Sequence, residues 1–83
     1  MPYISDKDGK RHDLVCGEKD PANAGELNFL VTYIVNDYLK TYGESYGTYN
    51  EIVGVLECCK LEFYRRAVAA YEDEKIVENG DVY

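Results

Sequence analysis

No tryptophan, one histidine and two prolines occur in this chain of 83 residues. No stretch reaches the roughly 20 apolar residues that a membrane-spanning helix needs. The opening MPYISDKDGK has no basic segment followed by an apolar one, so it does not read as a secretory leader, and a cytoplasmic location is expected. The cysteines are Cys16, Cys58 and Cys59, an odd number with an adjacent pair. That is a poor disulfide framework, and no Cys-x-x-Cys or Cys/His spacing points to zinc. They read as reduced, small apolar side chains, with no metal and no other cofactor expected. His12, between Arg11 and Asp13, has no nucleophile at a recognisable spacing and reads as a surface residue.

Basic charge is also scarce. Nine Lys and Arg face 16 Asp and Glu, for a net charge of −7. Such a surface repels phosphate backbones and anionic lipid, which argues against nucleic acid or a membrane as a partner. A local basic cluster remains compatible with one small anion.

What is present argues for a folded domain. A hydrophobic content of 46% is above what a disordered chain carries. The length suits a single domain over 1–83. Nine tyrosines supply apolar area with a polar tip, which fits half-buried positions and subunit interfaces.

The periodicity is helical. Leu27, Leu30, Val31, Ile34, Val35, Tyr38 and Tyr42 recur at steps of three and four, predicting a helix over about 22–42. It is expected to start between Pro21 and Glu26, with Asp20-Pro21 as a candidate cap and first-turn pair, and Gly43 is its stop. Phe29 and Tyr33 fall on the opposite side, so this helix has apolar groups on two faces. After a turn over GESYGTYNE, Thr48 and Glu51 form a T-x-x-E capping box. Tyr49, Ile52, Val53, Leu56, Cys59, Phe63, Ala67 and Ala70 then share one face of a helix predicted over about 48–78. The expected fold is all-α: an antiparallel helical hairpin over 21–79, an N-terminal arm over 1–20 and a tail over 80–83. Two apolar faces exceed what one hairpin can bury, so a helical-bundle homo-oligomer is expected as well. In the arm, Ser5 and Asp8 suggest a capped helix over about 6–15, which is the preferred reading; Asp8-Gly9 is equally a tight-turn signal and suggests a small hairpin between YIS and RHDL.

Four segments, GELNF at 25–29, KLEFYRR at 60–66, YEDEK at 71–75 and the ending ENGDVY, resemble a family of short, functionally uncharacterised proteins from bacteriophages, bacteria and marine metagenomes. The resemblance runs from Gly25 onward. It implies a compact, mostly helical protein without an assigned activity, and it provides no catalytic residues to carry over.

The candidate site is KLEFYRR. Lys60, Tyr64, Arg65 and Arg66 are candidate anion ligands, because adjacent guanidinium forks can hold a phosphate or carboxylate. The alternative is a self-paired charged face, with Glu62 three and four residues before the arginines and Asp73 further along the same line. Lys60 points between Leu56 and Phe63, within the apolar face, and Glu26 is its candidate partner. Glu72, Asp73 and Glu74 are consecutive, point in different directions on a helix, and make a poor cation cage. Asp6 to Gly9, DKDG, lacks the further ligands of a calcium loop. Glu51, Glu57 and Glu62 stand at spacings that build no E-x-x-E pair, which argues against a metal-dependent nucleotide hydrolase. The expected role is therefore binding: a self-associating, non-enzymatic accessory protein of a phage or bacterium. Sequestration of an anion or nucleotide at subunit interfaces is the alternative.

Overall fold

A computed structural model describes residues 1–83 and is all-helical, without a strand. The chain divides into two compact units, Met1–Thr48 and Tyr49–Tyr83, and each is described by itself.

The first unit begins with an irregular strap and a single 3-10 turn, Lys7–Gly9. Helix α1 follows over Lys10–Cys16. The arm is thus helical and not a hairpin, but it starts four residues later than the Ser5/Asp8 pattern predicts. The reason is local: Asp8 (φ 59) and Gly9 (φ 73) are both left-handed, which breaks any helix begun at Asp6. Aspartate and glycine are among the few residues that accept this conformation cheaply. Ser5 Oγ accepts from the Lys7 N–H, and Asp6 Oδ1 accepts from the Arg11 N–H, one of the donors a helix start leaves unsatisfied.

Helix α2 spans Ala24–Tyr42. Its cap is Asn23, three residues beyond the expected Asp20. Asn23 is extended (φ −156, ψ 175), and its Oδ1 accepts the Glu26 N–H at 2.9 Å. Glu26 in return accepts the Ala22 N–H at 3.1 Å, a reciprocal closure related to the capping box. Asn23 to Glu26 carries that signature in the sequence; the start at Ala24 falls within the expected Pro21–Glu26 interval, and only the capping residue differs.

The core of this unit is small. Leu14 of α1 is the buried apolar side chain, with 2% of its surface exposed. The N-terminal strap passes over the first turn of α2, where a Cβ on Gly25 would stand 3.4 Å from Ile4 Cγ2 and 3.6 Å from the Met1 carbonyl. Arg11 ties the strap to α1 by donating to the Ile4 carbonyl from Nε (3.2 Å) and Nη2 (2.7 Å). The same guanidinium lies 5.4 Å from the ring centre of Phe29 on α2, within cation–π range. One arginine thus joins three segments.

Helix α3, Tyr46–Phe63, leads into a π-helical turn, Tyr64–Val68, and then α4, Ala69–Asn79. Phe63 and Ala69 keep right-handed helical angles, so the segment is continuous across the turn. The α3 start is capped by Ser45, whose Oγ accepts the Thr48 N–H at 3.1 Å. Thr48 therefore sits in the first turn, not at the cap, and the T-x-x-E reading placed the boundary two residues late. The π turn is a second correction to the expected regular helix. The Ala69 N–H reaches back five residues to the Tyr64 carbonyl. One extra residue in a turn rotates everything after it by about 100° relative to a regular helix. Ala67 and Ala70, expected on the apolar face, are exposed, while Val68 and Ala69 are half-buried.

Candidate functional site

The tightest polar assembly in the chain surrounds Glu26. Its carboxylate, at the first turn of α2, is 2% exposed. Lys10 Nζ, from the start of α1, lies 2.7 Å from Oε2, and Lys19 Nζ, from the α1–α2 loop, lies 2.8 Å from Oε1. The Ala22 N–H and the Asn23 side-chain amide also donate to it. Placement at a helix N-terminus adds a favourable dipole. The Lys10 ammonium first, then Lys19 and the Ala22 N–H, pull the Glu26 carboxyl from its ordinary 4.5 down to about 2, against the opposing effect of burial. A carboxylate this fully satisfied has no open face for chemistry. It fastens α1 and the following loop to α2.

Beside it lies a hollow of about 450 Å³ lined by Ser5, Lys7, Asp8, Lys10, Asp13 and Lys19. Its three lysines are matched by Asp8, Asp13 and the adjacent Glu26. The hollow therefore has no net positive charge with which to concentrate an anion.

The KLEFYRR residues lie on α3 and the π turn. Glu62 Oε1 accepts from Arg65 Nη2 at 2.9 Å and from Arg66 Nε at 2.7 Å, so one carboxylate serves both arginines. Tyr64 and both arginines are exposed. Lys60 meets Glu57 at 3.0 Å and is 68% exposed. Within its own unit Glu26 takes its cations from Lys10 and Lys19, and Lys60 closes an exposed i,i+3 pair with Glu57 on its own helix. An isolated helix wheel places Lys60 inward, but the residues flanking it, Leu56 and Phe63, are themselves exposed. Asp73, expected along the same line of charges, forms no ion pair, and Lys75 pairs with Glu78 instead.

A further cluster escaped the sequence reading. His12 Nδ1 lies 3.9 Å from Cys16 Sγ and 3.6 Å from Asp13 Oδ1. The donor atoms of His12, Asp13 and Cys16 all fall within 4.8 Å of one another. The available signal was the four-residue interval from His12 to Cys16, which places both on one face of a helix.

A family model matches residues 1–82. The chain belongs to the family described as Domain of unknown function (DUF6899). No curated protein and no solved structure matches the chain. Membership covers the N-terminal arm as well as the helices, so the Glu26 cluster and the His12/Cys16 face both lie within the family domain. No helix of the protein is long and apolar enough to cross a membrane.

Proposed function

We propose that this protein acts by binding and not by catalysis, as a self-associating helical accessory protein whose long C-terminal helix meets a second copy of itself in antiparallel orientation. The observation that carries this reading is the exposure of the apolar stripe on α3: Val53 and Phe63 are each 66% exposed and Leu56 is 41% exposed. Within Tyr49–Tyr83 no residue is buried. A helix draws most of its stability in water from packing an apolar face, so this one calls for a cover. Burying each such side chain is favourable by about 1.5–3 kcal/mol. The two apolar faces read on the 22–42 helix leave a surface over even when the two helices fold into the expected hairpin.

The charge pattern favours a like copy in antiparallel orientation. Lys60, Arg65 and Arg66 precede an acidic stretch containing Glu72, Asp73, Glu74, Glu78 and Asp81 on the same segment. Reversing a second copy sets the basic part of each helix beside the acidic part of the other, and it offers Asp73 the partner it lacks within the chain. Sedimentation velocity across a concentration series tests this reading. A dimer or higher oligomer that Phe63→Asp converts to monomer is expected, and a monomer at every concentration refutes it.

One observation favours a second reading. The π turn holds Tyr64, Arg65 and Arg66, and such turns occur frequently at functional sites. In that reading, copies of these residues gather around an anion or nucleotide at a subunit interface. Thermal-shift measurements with nucleotides and phosphorylated metabolites test it. Stabilisation that survives in the Arg65→Ala and Arg66→Ala variants rules it out.

A further inference from the structure

We propose that His12, Asp13 and Cys16 form a binding site for a divalent transition metal ion of the zinc class. The three donors are an imidazole nitrogen, a carboxylate oxygen and a thiol sulfur, the set that zinc takes in proteins. Their spacing fits. A tetrahedral ion with Zn–N and Zn–O near 2.1 Å and Zn–S near 2.3 Å needs donor separations of about 3.4 Å for N···O and about 3.6 Å for N···S. The observed separations are 3.6 Å from His12 Nδ1 to Asp13 Oδ1 and 3.9 Å to Cys16 Sγ. The third separation, from the Asp13 carboxylate to Cys16 Sγ, lies within 4.8 Å where about 3.6 Å is needed, so closing the site takes shifts of up to about 1.2 Å, within the reach of side-chain rotation.

The backbone that carries the donors is already held. Leu14, between Asp13 and Cys16, is buried, and the Lys19 N–H donates to the Asp13 carbonyl at 3.2 Å. Cys16 Sγ lies 3.7 Å from that same carbonyl, directed along the face that His12 shares. None of the three lysines that share the hollow with Asp13 forms an ion pair with its carboxylate, and Lys10 and Lys19 are both turned to Glu26. His12 and Cys16 are exposed, so an ion can enter without any rearrangement of the fold.

The binding step is balanced without a redox partner. The S–H bond of Cys16 breaks, its proton passes to water, and the thiolate forms the bond to the metal; Nδ1 of His12 and a carboxylate oxygen of Asp13 complete three positions. The fourth is left for water or an outside ligand. A thiolate in the set favours zinc or cobalt over magnesium or calcium. Because α1 also carries Lys10, Arg11 and Leu14, an ion clamping its outer face stabilises the contacts that hold the arm to α2.

Cobalt(II) titration of the full, reduced chain tests the site through the thiolate-to-cobalt charge-transfer band. The expected result is a band that saturates at one ion per chain, is displaced by zinc and persists in the Cys58→Ser/Cys59→Ser double variant. Cys16→Ser is expected to abolish the band, and His12→Ala to weaken binding about tenfold or more. Both residues are exposed, so neither substitution threatens folding. Absence of the band in the unmodified chain, its persistence in Cys16→Ser, or its loss in the Cys58→Ser/Cys59→Ser variant overturns the proposal.

Discussion

Replacing Leu14 with alanine tests whether the arm is held by packing as well as by charge. Leu14 is 2% exposed and is the buried apolar side chain of α1. Leucine to alanine removes three carbons, worth about 2.4 kcal/mol at about 0.8 kcal/mol for each buried methylene. Any cavity left behind adds to that, and such substitutions cost about 2–5 kcal/mol in general. Because α1 has only seven residues, it can settle toward the gap, so a loss of about 2–3 kcal/mol is expected. A domain of this length holds roughly 4–12 kcal/mol in all, at about 0.05–0.15 kcal/mol per residue, so the loss is a large fraction. Native-state amide exchange is the suitable assay, because it reads local opening of the arm separately from global unfolding. Protection in α1 and the first turn of α2 should fall about 30- to 150-fold, at one decade per 1.4 kcal/mol. Val77→Ala, at a position 86% exposed, is the control and should change stability by less than about 0.5 kcal/mol. A Leu14→Ala effect no larger than that control would refute the packing argument and leave the arm held by the Glu26 ion pairs and the Arg11 contacts.

Two further perturbations probe the same region. The Glu26 carboxyl is depressed to about 2 from 4.5, so its contribution is fully present above about 4.5 and is lost as pH falls through about 2. Urea midpoints measured between pH 7 and pH 2 should therefore fall across that acid window, and Glu26→Gln should be less stable at neutral pH with a flatter acid limb. An unchanged limb in Glu26→Gln would mean that other carboxylates govern the acid response. Asn23→Ala removes the cap of α2 and should cost about 1 kcal/mol in denaturant unfolding, whereas Asn23→Ser should recover most of it. Equal stability of the alanine and serine variants would show that the cap is dispensable.

The helical character was legible in the sequence because it rests on short-range rules. Apolar residues at steps of three and four mark one face of a helix wherever it later packs. Gly43 and Gly80, with φ of 85 and 89, stop their helices because only glycine accepts that backbone without strain. The Glu62 pairs with Arg65 and Arg66 follow from three- and four-residue spacing within one helix. Boundaries were less certain where neighbouring residues compete for the same cap. Asn23 over Asp20 and Ser45 over Thr48 were choices between adjacent candidates of similar intrinsic preference.

Other features depend on contacts between distant residues, which periodicity does not encode. Glu26 and Lys19 are seven residues apart and Lys10 is sixteen from Glu26, so nothing local brings the two ammonium groups to one carboxylate. That requires α1 to lie against α2, with Leu14 covered, Arg11 holding the strap and Gly25 leaving room for Ile4. The π turn likewise has no marker in YRRAV, since a single added residue leaves the composition of a helix unchanged while rotating its face. The amino-acid pattern alone thus determined that this protein is helical, acidic and marked by apolar stripes. Tertiary structure decided which charges meet, because burial of Glu26 and the placement of its two lysines arise only once α1 and α2 are brought together.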